Sequence, residues 1–557
     1  MVKSVKFAIR QLAALAVLTS ALAGCTAPDT SVPDDANAII FSTHMGEHPG
    51  WIPAYEAIIR RYEQVHPGVK IKLHYQPLEG IDIWLETQFI SGRGPDIVNS
   101  GNLYRLGARL GMLVPITEYL DEETPYVPGR RWRDTFYPVV WVNQEDAIYG
   151  EFWVVPFNFF TLRVFYNKEL FAKAGIERPP KTWAEFMRIQ QQLLDAGIVP
   201  YLMPNSLTTE YAGTGMNMLS EMLYQDRVPD LDTVNPDGQV DGLESNIGIY
   251  TGKIRLDDPQ MLVMLRLLKE WSRYWVRGFN GLDRQQAKMM FANGIGAMYM
   301  DGSWETEGII KAVTFEWGVF SFPTVTKETT PYADGPRNDN NFNLWFAVSK
   351  VAERRGHLPR VIDFLQFLTG PEAADTLTNY VSFISALRDY PVPDHLKPFA
   401  PDTGHPWSCY PWYVMSQSGS AEASDRLVSL LQGYFADEID ERGLVERYQS
   451  IYHSMTVQEL RYALEENRNR VEETERRIAV ARAKLDSLRA SGGEAVVDSA
   501  RSEQVHLERQ LAWQETSLEK ARRQYRAVRE TLSHPPAWER QDADVRAGPH
   551  ARENALP

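Results

Sequence analysis

Val154 to Phe186 reads VVPFNFFTLRVFYNKELFAKAGIERPPKTWAEF. Within it, Leu162 to Tyr166 is β-branched and aromatic, which predicts a strand buried on both faces. Asn167 breaks that strand. Glu169 to Ala174 supplies one or two helical turns, stopped by Gly175. Pro179 and Pro180 forbid helix. Thr182 then caps a new helix, with Glu185 three residues on in capping-box spacing. Local physics gives strand, short helix and capped helix, and goes no further.

A chain of 557 residues provides for more than one domain and for large cores. Its net charge of −15 argues against nucleic acid as a partner. Two cysteines in this length exclude a disulfide framework. Fifteen tryptophans are many, and they serve either as core or as stacking platforms for a ligand.

The N-terminus carries the marks of a processing segment. Lys3, Lys6 and Arg10 precede an apolar run from Leu12 to Leu22 that is too short to span a bilayer. Leu22-Ala23-Gly24-Cys25 resembles a bacterial lipobox. That resemblance implies a signal peptide over 1–24, lipidation of Cys25, and a membrane partnership through the lipid. Cys409 then has no intrachain partner. Residues 25–37, rich in Pro, Asp, Ser and Thr, form a flexible tether.

Ala38 to Phe41, Val69 to Tyr75 and the residues after Gly92-Arg93-Gly94-Pro95-Asp96 are expected strands. Helices are expected over Ile52 to His66 and Ile83 to Ile90. Strands separated by helices predict a mainly parallel sheet, with ligands at its strand C-terminal ends. Several phrases then recur in order: Tyr166-Asn167-Lys168 with Phe171, Gly175, Pro180, Thr182-Trp183 and Phe186; the Gly92 to Asp96 run; Leu110 to Pro115; and Gly296-Ala297-Met298 leading to Gly302-Ser303-Trp304. Together they resemble the extracellular solute-binding proteins of ABC transporters, in the sugar-binding, maltose-binding-like branch. The resemblance covers residues 38 to 455. It implies an α/β, two-lobed periplasmic binding protein fold of type II, with lobe 1 at 38–157 and 324–382 and lobe 2 at 158–323 and 383–455. Trp317 to Pro323 and Tyr380 to Ala386 resemble the second and third crossings between lobes.

The last hundred residues depart from that family. Leu460, Leu464, Asn467, Val471, Thr474, Ile478, Ala481, Leu485 and Leu488 keep four-three spacing, and Val497 to Leu532 resume it after Gly492-Gly493. This pattern predicts an antiparallel coiled-coil hairpin over 456–533 with its turn at the glycines. It would be a module separable from the lobes or a brace lying against them, and a docking arm for an envelope partner or a dimerisation surface. Residues 534–557 look disordered.

A sugar site needs planar hydrogen-bonding groups and aromatic platforms. The resemblance puts Trp304 on the family's motif tryptophan, the leading platform. Asn99, Ser100, Asn102, Asn158, Asn340 and Asn341 lie near expected strand ends or crossings, and two or three of the asparagines are expected to face the cleft. His44 and Glu47 sit in the loop after the first strand. Phe160 stacks on ligand or packs in the core, and Trp412 touches ligand or packs a helix. His44 and His48 flank Glu47, but Pro49 prevents the helix a zinc motif needs, so loop hydrogen bonding is the expected role and a metal is not expected. Gly92-x-Gly94 and Gly294-x-Gly296 lack phosphate-loop context, so a nucleotide cofactor is not indicated. No nucleophile–base pair or paired-carboxylate signature stands out. The expectation is therefore a binding protein, lipid-anchored, that carries a mono- or oligosaccharide to an ABC permease. A sensing adaptor acting through the hairpin and a carbohydrate-active enzyme are the alternatives.

Overall fold

The computed structural model describes residues 37–77, 81–99, 103, 111–141, 152–206, 211–236, 238, 240–333, 344–401, 421–491 and 498–539. The opening stretch folds as its residues dictate. Leu162–Asn167 is a strand, and Asn167 caps the helix Lys168–Lys173 by accepting from Leu170 N. Gly175 takes a left-handed φ of 73°. Thr182 caps Trp183–Asp195 by accepting from Glu185 N at 3.3 Å. Glu185 itself accepts from Lys181 N at 2.8 Å and pairs with Arg178 at 2.6 Å.

The first lobe is built on a sheet in the order Ile71–Tyr75, Ile39–Thr43, Ile97–Asn99, Trp345–Ser349, Leu113–Val114, with Val155–Pro156 paired to Trp345–Ser349. Helix Trp51–Val65 covers one face through Trp51, Ala54, Tyr55, Ile58, Ile59 and Tyr62, a three-four spacing that lays all six on one stripe. Gly50 starts it at φ 92°, and a Cβ there would lie 2.5 Å from Tyr380 O, so both backbone conformation and space require glycine. A smaller cluster that includes Leu85, Phe89, Val98 and Leu113 fills the other face.

The second lobe has a four-stranded sheet, Trp317–Phe320, Leu162–Asn167, Gly296–Gly302, Val199–Tyr201. Its core packs Trp183, Phe186, Tyr201, Trp271 and Phe322 together. The expected parallel arrangement holds for the first three strands of lobe 1 and, in lobe 2, for Val199–Tyr201 beside Gly296–Gly302. Trp345–Ser349 runs antiparallel to its neighbours, and Leu162–Asn167 runs antiparallel to both of its own. The cause is the crossings: a strand that arrives from the other lobe enters its sheet from the opposite end.

Two boundaries differ from the expectation. Trp317–Phe320 stays in the second sheet, Thr324 bonds back to Lys181 and Trp183, and Val325 and Ala333 lie in the second-lobe core. The second lobe therefore runs past Pro323 as far as Ala333 instead of ending there. The third crossing pairs Ile384–Ser385 with Asn158–Phe159. Beyond it, Leu387, Leu396 and Phe399 join a cluster that contains first-lobe residues, so 383–399 is not simply second lobe. Arg163, buried, ties that segment down by donating to Pro398 O at 2.9 Å and Ala400 O at 2.9 Å.

The hairpin expectation is met in its helices, Glu441–Ser491 and Asp498–Ser533, and corrected at its root. The first helix begins inside the second lobe, where Leu444, Tyr448, Ile451, Tyr452 and Met455 are core, and it runs on into the arm unbroken. The seam holds Ile478, Ala481, Leu485, Leu507, Leu511 and Leu518. It also buries Arg470, which donates to Gln524 Oε1 at 2.9 Å, a residue the apolar spacing did not mark. The start of the supposed disordered tail is ordered: Trp538 stacks on His453 with ring centroids 3.8 Å apart. The Gly492-Gly493 turn and residues 540–557 lie outside the described residues.

Glu244, at the start of helix Gly242–Tyr250, forms a full capping box with Asp241. Burial, and next the charge of Asp241, raises its pKa to about 7. The unfolded chain loses that proton near pH 4.5, so stability falls as pH rises from about 4.5 to about 7 and then levels. Glu244→Gln is expected to flatten this part of the profile. Melting temperatures measured from pH 4.5 to 8 for both proteins check it: an unchanged slope in the variant would assign the dependence to other groups.

Candidate functional site

Strand Gly296–Gly302 ends in the tight turn Ser303–Glu305, and this turn presents Trp304. The strand is buried along its whole length, so the turn has a fixed base. Trp304 is half-buried and packs against two hydrophobic clusters, the second-lobe core and the cluster that holds Phe160. Phe160 meets it edge-on at 5.1 Å, and the Arg284 guanidinium lies 5.8 Å from its ring centroid. Asp283 caps the helix Arg284–Ala292 and so sets where Arg284 starts.

Charge surrounds the ring. Glu305, buried, pairs with Lys288 at 2.8 Å and Arg284 at 3.2 Å, and Arg284 also lies 3.9 Å from Asp301. From the first lobe comes the turn Met45–Glu47, with His44 and His48 at its ends. His48 feels the charges of Glu305 and Arg284, so it lies within electrostatic reach of the groups around Trp304. Burial pushes both His44 and His48 below the ordinary imidazole value, which leaves them neutral near pH 7; His44 donates from Nδ1 to Asn99 O and keeps Nε2 as an acceptor, while His48 has one donor and one acceptor nitrogen. Glu47 is exposed beside them and acts on both. The arrangement has an aromatic face, hydrogen-bonding groups of both kinds and balanced charge. Among the described residues there is no group of three His, Cys, Asp or Glu placed to hold a metal ion.

The structure thus packs Phe160 on Trp304, and it places His44 and Glu47 in the first-lobe turn next to His48. It turns Asn99 and Asn158 inward instead. Asn99 is fully buried: its Oδ1 accepts from Thr43 at 2.9 Å and Tyr55 at 3.3 Å, and its Nδ2 donates to Trp345 O at 2.9 Å. It pins the loop on which His44 rides, since His44 Nδ1 lies 2.9 Å from Asn99 O. Asn158 is fully buried, accepts from Leu344 N at 2.9 Å, and pairs in register with Ser385, so it holds crossings together. A side-chain amide both donates and accepts, and that makes it as useful in a crossing as in a cleft. Ser100, Asn102, Asn340, Asn341, Trp412 and Cys25 lie outside the described residues. Sequence reasoning missed Arg284, Lys288 and Glu305, and gave His48 only a loop hydrogen-bonding role. The nearest signal was the cap at Asp283, but only helix packing shows that Arg284 reaches Trp304.

Residues 48–375 match the bacterial extracellular solute-binding protein family. The chain belongs to that family. It is an extracellular solute-binding protein of an ABC transporter, in a family of substrate-binding receptors. Its fold is the type II solute-binding fold. The sn-glycerol-3-phosphate-binding periplasmic protein UgpB of Salmonella paratyphi A is 25% identical, over 57% of this chain and 68% of UgpB. Two solved structures share the fold. A chitin oligosaccharide binding protein superposes with a TM-score of 0.54 at 20% identity, over 76% of this chain and 100% of that one. RafE of Streptococcus pneumoniae, in complex with raffinose, superposes at 0.52 with 17% identity, over 75% of this chain and 100% of RafE. Family members are exported, and among the described residues no helix of this solute-binding protein is long and apolar enough to cross a membrane.

Proposed function

We propose that this solute-binding protein captures a mono- or oligosaccharide between its lobes and delivers it to an ABC permease while held at the membrane by a lipid on Cys25. The observation that carries the reading is the half-buried Trp304, a ring held by Phe160 and Arg284, in a turn whose Glu305 and neighbouring Arg284 act electrostatically on His48 of the first lobe. Aromatic faces stack on the C–H faces of sugars, and the histidines and Glu47 supply donors and acceptors for hydroxyls. Ligand that contacts both lobes stabilises the closed form, which is the form a permease would recognise.

A thermal-shift screen tests this, because a ligand bound to the native state stabilises it by mass action. Raffinose, chitin oligosaccharides, monosaccharides and glycerol 3-phosphate are the first probes. Stabilisation by a saccharide supports the reading; stabilisation by glycerol 3-phosphate alone replaces it. Trp304→Ala is then expected to weaken binding of the stabilising saccharide by on the order of 1–3 kcal/mol, measured by calorimetry on folded variant. Wild-type affinity in that variant would remove Trp304 from the site. Cys25→Ser is expected to release the protein from membranes into the soluble fraction, as a fractionation blot would show. Retention would mean that another contact holds it.

A further inference from the structure

The arm has a root that a loosely appended module would lack. Its first helix is one continuous element from the second-lobe core, Glu441, to Ser491. Arg266 of the second lobe pairs with Glu441 at 2.7 Å, and Leu256 N donates to Gln449 at 3.0 Å. Further out, Tyr250 of the second lobe is buried with Leu460 from one arm helix and Val528 from the other, and Leu243, Ile247, Leu464, Leu532 and Trp538 surround them. The chain then closes the joint from its other end. Past Ser533 it turns back so that Trp538 stacks on His453 and meets Tyr250 edge-on at 5.6 Å, while Glu539 accepts from the Tyr250 hydroxyl and pairs with Arg461 at 3.2 Å. Core helix, three-way apolar joint and C-terminal clasp are independent ties, and all three run to the second lobe.

The arm itself is stiffened crosswise. Arg522–Glu475 at 2.7 Å, Arg482–Glu515 at 2.5 Å and Arg489–Glu508 at 2.8 Å link its two helices at successive levels, with the buried Arg470 layer below them. A helix rises 1.5 Å per residue, so the stretch from Met455 to Ser491 is about 54 Å long.

We infer that the hairpin is a rigid lever of the second lobe, which carries any rotation of that lobe against the first out to the far end of the arm and magnifies it. The inference rests, for the source of the rotation, on the reading that ligand closes the lobes. The coupling itself rests on the joint. Each 10° of rotation across the arm axis moves its far end by about 9 Å relative to the joint. The state of the cleft becomes a displacement large enough for a second protein to sense at a distance from the ligand.

Paired spin labels test the lever. In a Cys25→Ser, Cys409→Ser background, the pairs are Arg93→Cys with Glu270→Cys between lobes, Glu270→Cys with Val480→Cys from second lobe to arm, and Arg93→Cys with Val480→Cys from first lobe to arm. Without ligand, the second-lobe-to-arm distance is expected to be single and narrow. A distribution there as broad as that from first lobe to arm overturns the lever, because the arm would then swing on its own joint. With saturating raffinose or the chitin oligosaccharide, the first-lobe-to-arm distance is expected to shift more than the lobe-to-lobe distance while the second-lobe-to-arm distance stays fixed. A shift confined to the second-lobe-to-arm pair also overturns it. Absence of any lobe-to-lobe shift counts against sugar closure alone, since the width in the ligand-free protein still decides the coupling.

Discussion

Asp96→Ala is expected to destabilise the first lobe by about 3–5 kcal/mol, the range for removing one partner of a buried ion pair. Asp96 is fully buried at the approach to the third strand of the first sheet. Its Oδ2 accepts from Ile40 N at 2.7 Å and from Arg355 at 3.2 Å, and its Oδ1 lies 3.1 Å from His357 Nδ1. One carboxylate therefore joins the first strand to the loop between two helices that cover the sheet. Alanine leaves the buried Ile40 amide and the Arg355 guanidinium without that acceptor. Arg355→Ala is expected to cost less, because its side chain keeps some exposure and Asp96 retains Ile40 N. Urea denaturation followed by tryptophan fluorescence measures both. A loss under about 1 kcal/mol for Asp96→Ala would mean that the loop relaxes to satisfy the orphaned groups.

Ending the chain after Met455 is expected to destabilise the second lobe by on the order of 4–6 kcal/mol. The cut uncovers Tyr250, Leu243 and Ile247 and removes the clasp of Trp538 and Glu539. Each large apolar side chain returned to water costs about 1.5–3 kcal/mol. A shortened arm provides the contrast. The cross-arm pairs keep a fixed register, so residues 483–514 can be removed and Arg482 joined to its partner Glu515 through a short glycine-rich turn. That protein keeps the joint whole, and its second lobe is expected to melt within a few degrees of the full-length chain. Differential scanning calorimetry of the two deletions separates joint from arm. Equal stability after the cut at Met455 would restore the hairpin to a separable module.

Much of this molecule was legible in its residues. The stretch from Leu162 to Phe186 gave strand, cap and helix because each depends on neighbours within four positions. The arm was legible because a four-three repeat is a local pattern with one packing solution. The site was legible only at Trp304, through its place in a run of motif residues. Asn99 and Asn158 were not legible as inward-facing, because a strand-end amide serves the fold or a ligand with the same chemistry, and nothing local tells which partner is near.

The sequence by itself determined the helical arm through its periodicity, and through ordered motifs it resembled the family that implies the two-lobed α/β class. Tertiary structure alone decided which strands run antiparallel, that the second lobe runs past Pro323, that Asn99 and Asn158 turn inward, that Arg284 and Glu305 gather at Trp304, and that the arm is rooted in the second lobe. Those outcomes depend on groups dozens to hundreds of positions apart, Asp96 with Arg355 or Tyr250 with Glu539, whose meeting is fixed by the packing of whole elements and leaves no periodic trace in the chain.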